Sequence, residues 1–155
     1  YLNRARLEAD PKTRNYLLSE AKRETEFSYS RSKQSSAEFA NVAIQMATIL
    51  FEMRETEDAL ILIYETIPMQ PQNDVLYSAA ATMHRKLGDL NEAKIVLTRG
   101  LDATGGKSAE IYYNLGLISI ELGQLDDAVN YADRAYEIGY PLPGLRTKLQ
   151  KLGRM

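Results

Sequence analysis

The sequence contains no cysteine, which excludes disulfides, thiol catalysis and thiolate metal sites. It holds one histidine, His84, so a histidine-based metal centre lacks its second ligand. An excess of one charge is also missing. Nineteen basic residues (Lys+Arg 19) against 21 acidic ones leave a net charge of −2, the footprint neither of a nucleic-acid binder nor of a protein drawn to anionic membranes. No apolar run approaches the roughly 18 residues a transmembrane helix needs, and greasy stretches such as Ala59–Tyr64 are short. No signal-peptide pattern is visible. The chain begins with Tyr1, not methionine, so a trimmed or mature piece of a longer protein is expected. Together with the missing cysteine, this leans the expected setting towards a soluble bacterial protein, periplasmic or cytoplasmic. The 155 residues, 45% hydrophobic and 26% charged, suit one folded domain.

What the sequence does have is a repeat. Met53–Ala59 reads MRETEDA, Leu87–Ala93 reads LGDLNEA and Leu122–Ala128 reads LGQLDDA. The closing alanines, Ala59, Ala93 and Ala128, stand 34 and 35 residues apart. Apolar residues at helical spacing flank the first copy: Val42, Met46, Ile49, Leu50 and Met53 before it, Leu60, Ile63, Tyr64 and Ile67 after it. No stretch alternates like a strand. Gly88 and Gly123 fall where one helix stops and another begins, the place for a left-handed residue. Glu57/Asp58, Asn91/Glu92 and Asp126/Asp127 would open the second helix, facing the positive end of its dipole. The alanines let two antiparallel helices approach, and Leu90 and Leu125 are expected to bury the corner. Arg54 stands where the other copies have glycine. A left-handed arginine costs about 1 kcal/mol or more, so a differently built turn is expected there.

These units resemble the tetratricopeptide repeat family. The residues that carry the resemblance are Ala47, Leu50, Ala59, Ile63 and Pro71 in the first unit, and Tyr77, Ala81, Gly88, Ala93 and Leu97 in the second. In the third they are Tyr112, Leu115, Gly116, Gly123, Ala128 and Ala135. The fold class this predicts is all-α, an α-solenoid of about three helix-turn-helix hairpins with flanking N- and C-terminal helices. The expected organisation is an N-terminal helical segment over 1–36, three repeats over 37–140 (about 40–73, 74–108 and 109–140) and a C-terminal capping helix over 141–155.

At the N-terminus, Tyr1–Pro11 reads as the tail of an earlier repeat, a helix ending at Asp10-Pro11. Lys12–Lys33 predicts a helix with Tyr16, Leu17, Ala21 and Phe27 inward. Ser28–Ser36 holds five serines, which favour caps and turns and predict a break, the alternative being one long helix running through. At the other end Pro141 and Pro143 stop one helix and start the next. Leu145, Leu149 and Leu152 form its apolar stripe, while Arg146, Lys148, Lys151 and Arg154 take a solvated outer face.

Candidate chemistry is sparse. His84 reads as a packed or half-buried structural residue. The abundant carboxylates sit on helix starts and exposed faces, where capping and solubility explain them. Gly100–Ser108, GLDATGGKS, imitates a phosphate-binding loop. It puts five residues, not four, between Gly100 and Gly106-Lys107, and it follows a helix where that loop follows a strand. It is the turn between repeats. No catalytic residue, metal or cofactor is expected.

The resemblance implies where binding would occur. In this family the first helices of successive hairpins line a concave groove for an extended peptide or a helix. Projected onto this chain, the lining is Asn41, Ile44, Gln45, Thr48 and Glu52, then Ser78, Ala79, Thr82, Arg85 and Lys86, then Glu110, Tyr113, Asn114, Leu117 and Glu121. Asn41, Gln45 and Asn114 could bond backbone amides, and Tyr113 is an anchor of the kind enriched at interfaces. Relatives that hold acidic chaperone tails use a clamp of lysine, arginine and asparagine. Ala79 and Glu110 do not fit that clamp, and the charge mix points to a mixed or mostly polar ligand. The expected function is a non-catalytic protein-protein interaction module, an adaptor or scaffold, with a protein or peptide partner, no nucleic acid and no direct membrane insertion. The alternatives are a structural self-association module forming a homo-oligomer, or a regulatory domain of a larger protein or enzyme.

Overall fold

Residues 1–32 and 37–154 are described by a computed structural model, and among them every regular element is helical. The α-helices are α1 (Leu2–Leu7), α2 (Pro11–Arg31), α3 (Ala37–Glu52), α4 (Thr56–Thr66), α5 (Asp74–Leu87), α6 (Leu90–Ala103), α7 (Ala109–Glu121), α8 (Leu125–Ile138) and α9 (Gly144–Lys151). They group into two units, Tyr1–Gln70 and Pro71–Met155.

The heptapeptides are the helix-to-helix turns. Gly88 and Gly123 take left-handed φ angles of 87° and 73°, as the sequence predicts, and Arg54 takes 70°. The expectation of a different first turn is therefore wrong. In each turn the left-handed residue donates its N–H three residues back: Arg54 to Phe51, Gly88 to Arg85 and Gly123 to Ile120. The next N–H reaches five back, Glu55 to Leu50 at 3.0 Å, Asp89 to His84 at 2.9 Å and Gln124 to Ser119 at 2.8 Å. Two otherwise orphaned carbonyls per helix are thus satisfied. Glu55, Asp89 and Gln124 then share nearly one conformation, with ψ of 59°, 61° and 67°. Hydrogen bonding at the end of the preceding helix sets this geometry, and glycine only makes it cheaper.

In the first unit α2 packs on α1 and α3, and α3 on α4. Ala40, Ala43 and Ala47 on α3 and Ala59 on α4 are fully buried, so no bulk separates the helices of this pair. Asp10-Pro11 starts a helix and does not end one: Pro11 opens α2, and the Asp10 carboxylate accepts from the Thr13 N–H at 2.7 Å. The inward face of α2 is Leu17, Leu18 and Ala21; Tyr16 and Phe27, expected inward, are 60% and 64% exposed. Spacing explains the correction, since 17, 18 and 21 share a face that 16 and 27 do not. The serine-rich segment stays helical to Arg31, with Ser28 and Ser30 hydroxyls donating to the Glu24 and Phe27 carbonyls. Of the expected break, the end of α2 at Ser32 is described, and Lys33–Ser36 lie outside the described residues.

In the second unit α5 pairs with α6 and α7 with α8. Ala93, Ala128, Ala132 and Ala135 are fully buried on α6 and α8. At Gly100 on α6 a Cβ would lie 2.6 Å from Cγ of Tyr77 and 2.9 Å from Ile111. Leu145 and Leu149 of α9 complete a cluster with Ala128 and Ala132, against which Tyr113 and Leu117 pack. Leu145 and Leu149 are buried as the stripe on this helix predicts, but Leu152 lies beyond α9 and is 48% exposed. Leu90 and Leu125 are half-buried, less covered than their corner role predicts.

Candidate functional site

α5 and α7 share a face in the second unit, and its polar residues are tied across it. The Asn114 amide donates to the Ser78 hydroxyl at 3.3 Å. The Arg85 guanidinium grips Glu121, with Nε 2.8 Å and 2.9 Å from the two carboxylate oxygens and a second nitrogen at 2.6 Å. Both pairs span 36 residues, so each joins near-equivalent positions of successive hairpins. At the N-terminal ends Ser108 donates its hydroxyl to Asp74 at 2.6 Å and accepts from the Ile111 N–H at 3.1 Å, capping α7. Between these links lie the half-buried Ala79, where little side chain stands above the backbone, and the exposed Thr82. Thr82 turns its hydroxyl back to the Ser78 carbonyl. Lys86 is exposed at the end of α5.

The electrostatics differ along this face. Burial first, and then the charge of Asp74, push the Glu110 carboxyl above the ordinary carboxylate range, and a hydrogen bond with Ser78 partly offsets them. Hydrogen bonding to Glu121 holds Arg85 more firmly protonated. Tyr113 stacks on Tyr140 with ring centroids 4.2 Å apart, and burial raises both phenols. Tyr113 and Leu117 thus have packing work against the α8/α9 cluster besides any contact with a ligand.

The five positions expected on the first unit lie on α3. Asn41 and Gln45 are exposed, and Ile44, Thr48 and Glu52 are half-buried. Glu52 is engaged by Arg14 at 2.9 Å and Arg6 at 3.8 Å. Gln45 borders a cleft of about 400 Å³ that is also lined by Ala21, Thr25 and Ile49. In the second unit a polar cleft of about 350 Å³ lies among Gln72, Asp74, Thr104, Lys107 and Ser108. The sequence does not flag Asp74, Ser108 and Tyr140 as part of this neighbourhood; Asp74 looks like an ordinary first-turn carboxylate until Glu110 is placed beside it.

The phosphate-loop imitation resolves clearly. Gly105 and Gly106 have φ of 62° and 72°, and the N–H groups of Thr104, Gly105 and Gly106 all bond carbonyls at the end of α6. No amide of those three is left to cradle a phosphate, and Ser108 faces a carboxylate. His84 is half-buried, with Nδ1 3.8 Å from Asp89. Among the described residues no cluster of three or more metal-ligating side chains occurs, and no helix is long and apolar enough to cross a membrane.

Comparison with known proteins agrees with this geometry. Residues 109–138, which cover α7 and α8, match the family model of the tetratricopeptide repeat. A thermophilic tetratricopeptide-repeat protein of Thermus thermophilus superposes with a TM-score of 0.67 at 18% identity, over 90% of this chain and 75% of that one. The first such domain of Spaghetti (RPAP3), bound to an HSP90 peptide SRMEEVD, gives 0.64 at 17% identity over 77% and 94%. MamA gives 0.56 at 18% identity, over 68% of this chain and 60% of MamA. No curated protein matches the sequence significantly. The last hairpin is a tetratricopeptide repeat, and the fold is the all-α helical-hairpin fold of tetratricopeptide-repeat proteins.

Proposed function

We propose that this protein is a non-catalytic adaptor that binds an extended peptide or a helix of a protein partner. In the second unit the binding surface is the α5/α7 face: Ser78, Ala79, Thr82, Arg85 and Lys86 with Glu110, Tyr113, Asn114, Leu117 and Glu121. In the first unit it is Asn41, Ile44, Gln45, Thr48 and Glu52 on α3. One observation carries the reading. Ala79 and Thr82 leave a shallow floor between two pairs of polar cross-links, Ser78–Asn114 and Arg85–Glu121. Those links hold α5 and α7 in place before any ligand arrives, so the ordering cost of binding falls on the ligand. A tetratricopeptide-repeat relative of the same fold is bound to a peptide, which supports the class of partner.

Selection of ligands from a displayed random heptapeptide library tests this. Ala79→Phe fills the floor without touching the hairpin turns. Selected peptides should lose binding to Ala79→Phe at unchanged circular dichroism; peptides that bind it as well as the wild type place the site elsewhere.

A second reading, self-association, has its own observation. Leu7, Tyr16 and Phe27 in the first unit are 88%, 60% and 64% exposed, and Tyr16 and Phe27 lie on one face of α2. Light scattering decides it: a monomer at high concentration ends this reading.

A further inference from the structure

We propose that a second copy of this chain docks on the outward face of α2, with the two α2 helices antiparallel across a two-fold axis. This rests on the self-association reading above and adds its surface, direction and register.

The outward face of α2 carries a seam. Thr13, Tyr16, Glu20, Arg23, Phe27 and Ser30 stand three, four, three, four and three residues apart, the spacing at which one helix meets another along its length. The seam lies away from Leu17, Leu18 and Ala21, which α2 buries against its own unit. Tyr16 and Phe27 are exposed, as are Thr13, Arg23 and Ser30. Arg31 lies over the Phe27 ring, 5.3 Å from its centroid, and still leaves that residue open to solvent. Glu20 is half-buried and holds Arg23 of its own helix at 2.6 Å.

The order of residue types names the partner. From either end the seam reads hydroxyl, aromatic, charge, charge, aromatic, hydroxyl, and its centre falls between Ala21 and Lys22. An antiparallel α2 laid about that centre sets Thr13 against Ser30 of the second copy, Tyr16 against Phe27, and Glu20 against Arg23. Each contact then occurs twice, as an isologous interface requires. A parallel pairing sets Glu20 on Glu20 and Arg23 on Arg23, so charge selects the antiparallel direction. Each carboxylate comes to lie between two guanidinium groups, its own and that of the second copy. The aromatic pairs supply apolar contact on either side of the charges. An interface of one helix face belongs to the weak, concentration-dependent class.

Sedimentation equilibrium over a concentration series of the intact chain tests this, with circular dichroism to verify the fold of each variant. The wild type should dimerise. Phe27→Ala should raise the dimer Kd at least about tenfold, because one substitution removes two contacts. Glu20→Arg and Arg23→Glu should each weaken self-association about tenfold. An equimolar mixture of those two variants, or the double variant Glu20→Arg/Arg23→Glu, should restore it, which misfolded chains would not do. Direction is read by crosslinking, since the chain has no cysteine of its own. A short bis-maleimide should join Thr13→Cys to Ser30→Cys in a mixture. It should join neither variant to itself, because the two copies of one position lie about 25 Å apart along the helices. Crosslinking of either variant alone, no rescue by the mixture, or a dimer indifferent to Phe27→Ala overturns the α2 pairing and leaves self-association standing. A monomer at every concentration overturns both.

Discussion

Arg54→Gly should stabilise the protein. Arg54 is held at φ 70° by the same two hydrogen bonds that hold Gly88 and Gly123 at 87° and 73°. A side chain in that region costs about 1–2 kcal/mol. Glycine removes the strain but adds freedom to the unfolded chain, worth roughly 0.4–1 kcal/mol in the other direction. The net gain is about 0.5–1 kcal/mol, or some 1–4 °C in Tm for a chain of this size. Urea titration followed by circular dichroism measures it. Arg54→Ala separates strain from charge, because it removes the exposed guanidinium and keeps the left-handed Cβ; it should gain nothing. Gly88→Ala and Gly123→Ala supply the converse, each losing about 1 kcal/mol in the same backbone conformation. If Arg54→Gly lowers stability while the two alanine variants lose what is expected, equivalence of the three turns fails as an energetic statement.

Gly100→Ala should cost more than Gly116→Ala. The first puts a Cβ 2.6 Å from the ring root of Tyr77, and the second meets only the movable tip of Leu145 at 2.5 Å; the overpacking penalty at Gly100 is about 1–3 kcal/mol, read by denaturant midpoints. Ser119→Ala should stabilise by about 1 kcal/mol, because its buried hydroxyl has no hydrogen-bond partner among the described residues and alanine removes the desolvated group. Glu110→Gln should raise Tm at pH 7 and not below the ordinary carboxylate pKa. The folded protein holds the Glu110 proton more tightly than the unfolded chain does, owing to burial and Asp74, so stability falls as pH rises through the window above the ordinary value. A thermal melt series from pH 3.5 to 7.5 checks the sign, and an equal gain at every pH would contradict it.

The hairpins are legible in the sequence because each turn joins two local signals, a helix stop and an acidic helix start. Arg54 escapes because nothing in a non-glycine residue announces a positive φ; the condition is set by the Leu50 and Phe51 carbonyls that precede it. Tyr16 and Phe27 are misplaced when hydrophobicity is taken without angle, and the burying stripe on α2 runs through Leu17, Leu18 and Ala21. Asp10-Pro11 carries a usable signal, a capping residue followed by proline at the first helical position, although the same pair also suits a helix stop. At the candidate site the sequence yields residue types at repeat positions. It cannot show that Arg85 and Glu121 neutralise one another across 36 residues, or that Asp74 and Glu110 oppose one another. Those facts depend on how α5 and α7 pack.

Chemical-shift mapping by NMR with a selected heptapeptide tests the binding surface most directly. Amide shifts confined in this unit to α5 and α7, largest around Ser78, Ala79, Thr82, Glu110 and Asn114, are the predicted result. Shifts centred instead on the outward residues of α6 and α8, such as Ile95 and Asp133, with the α5/α7 amides unmoved, would contradict it.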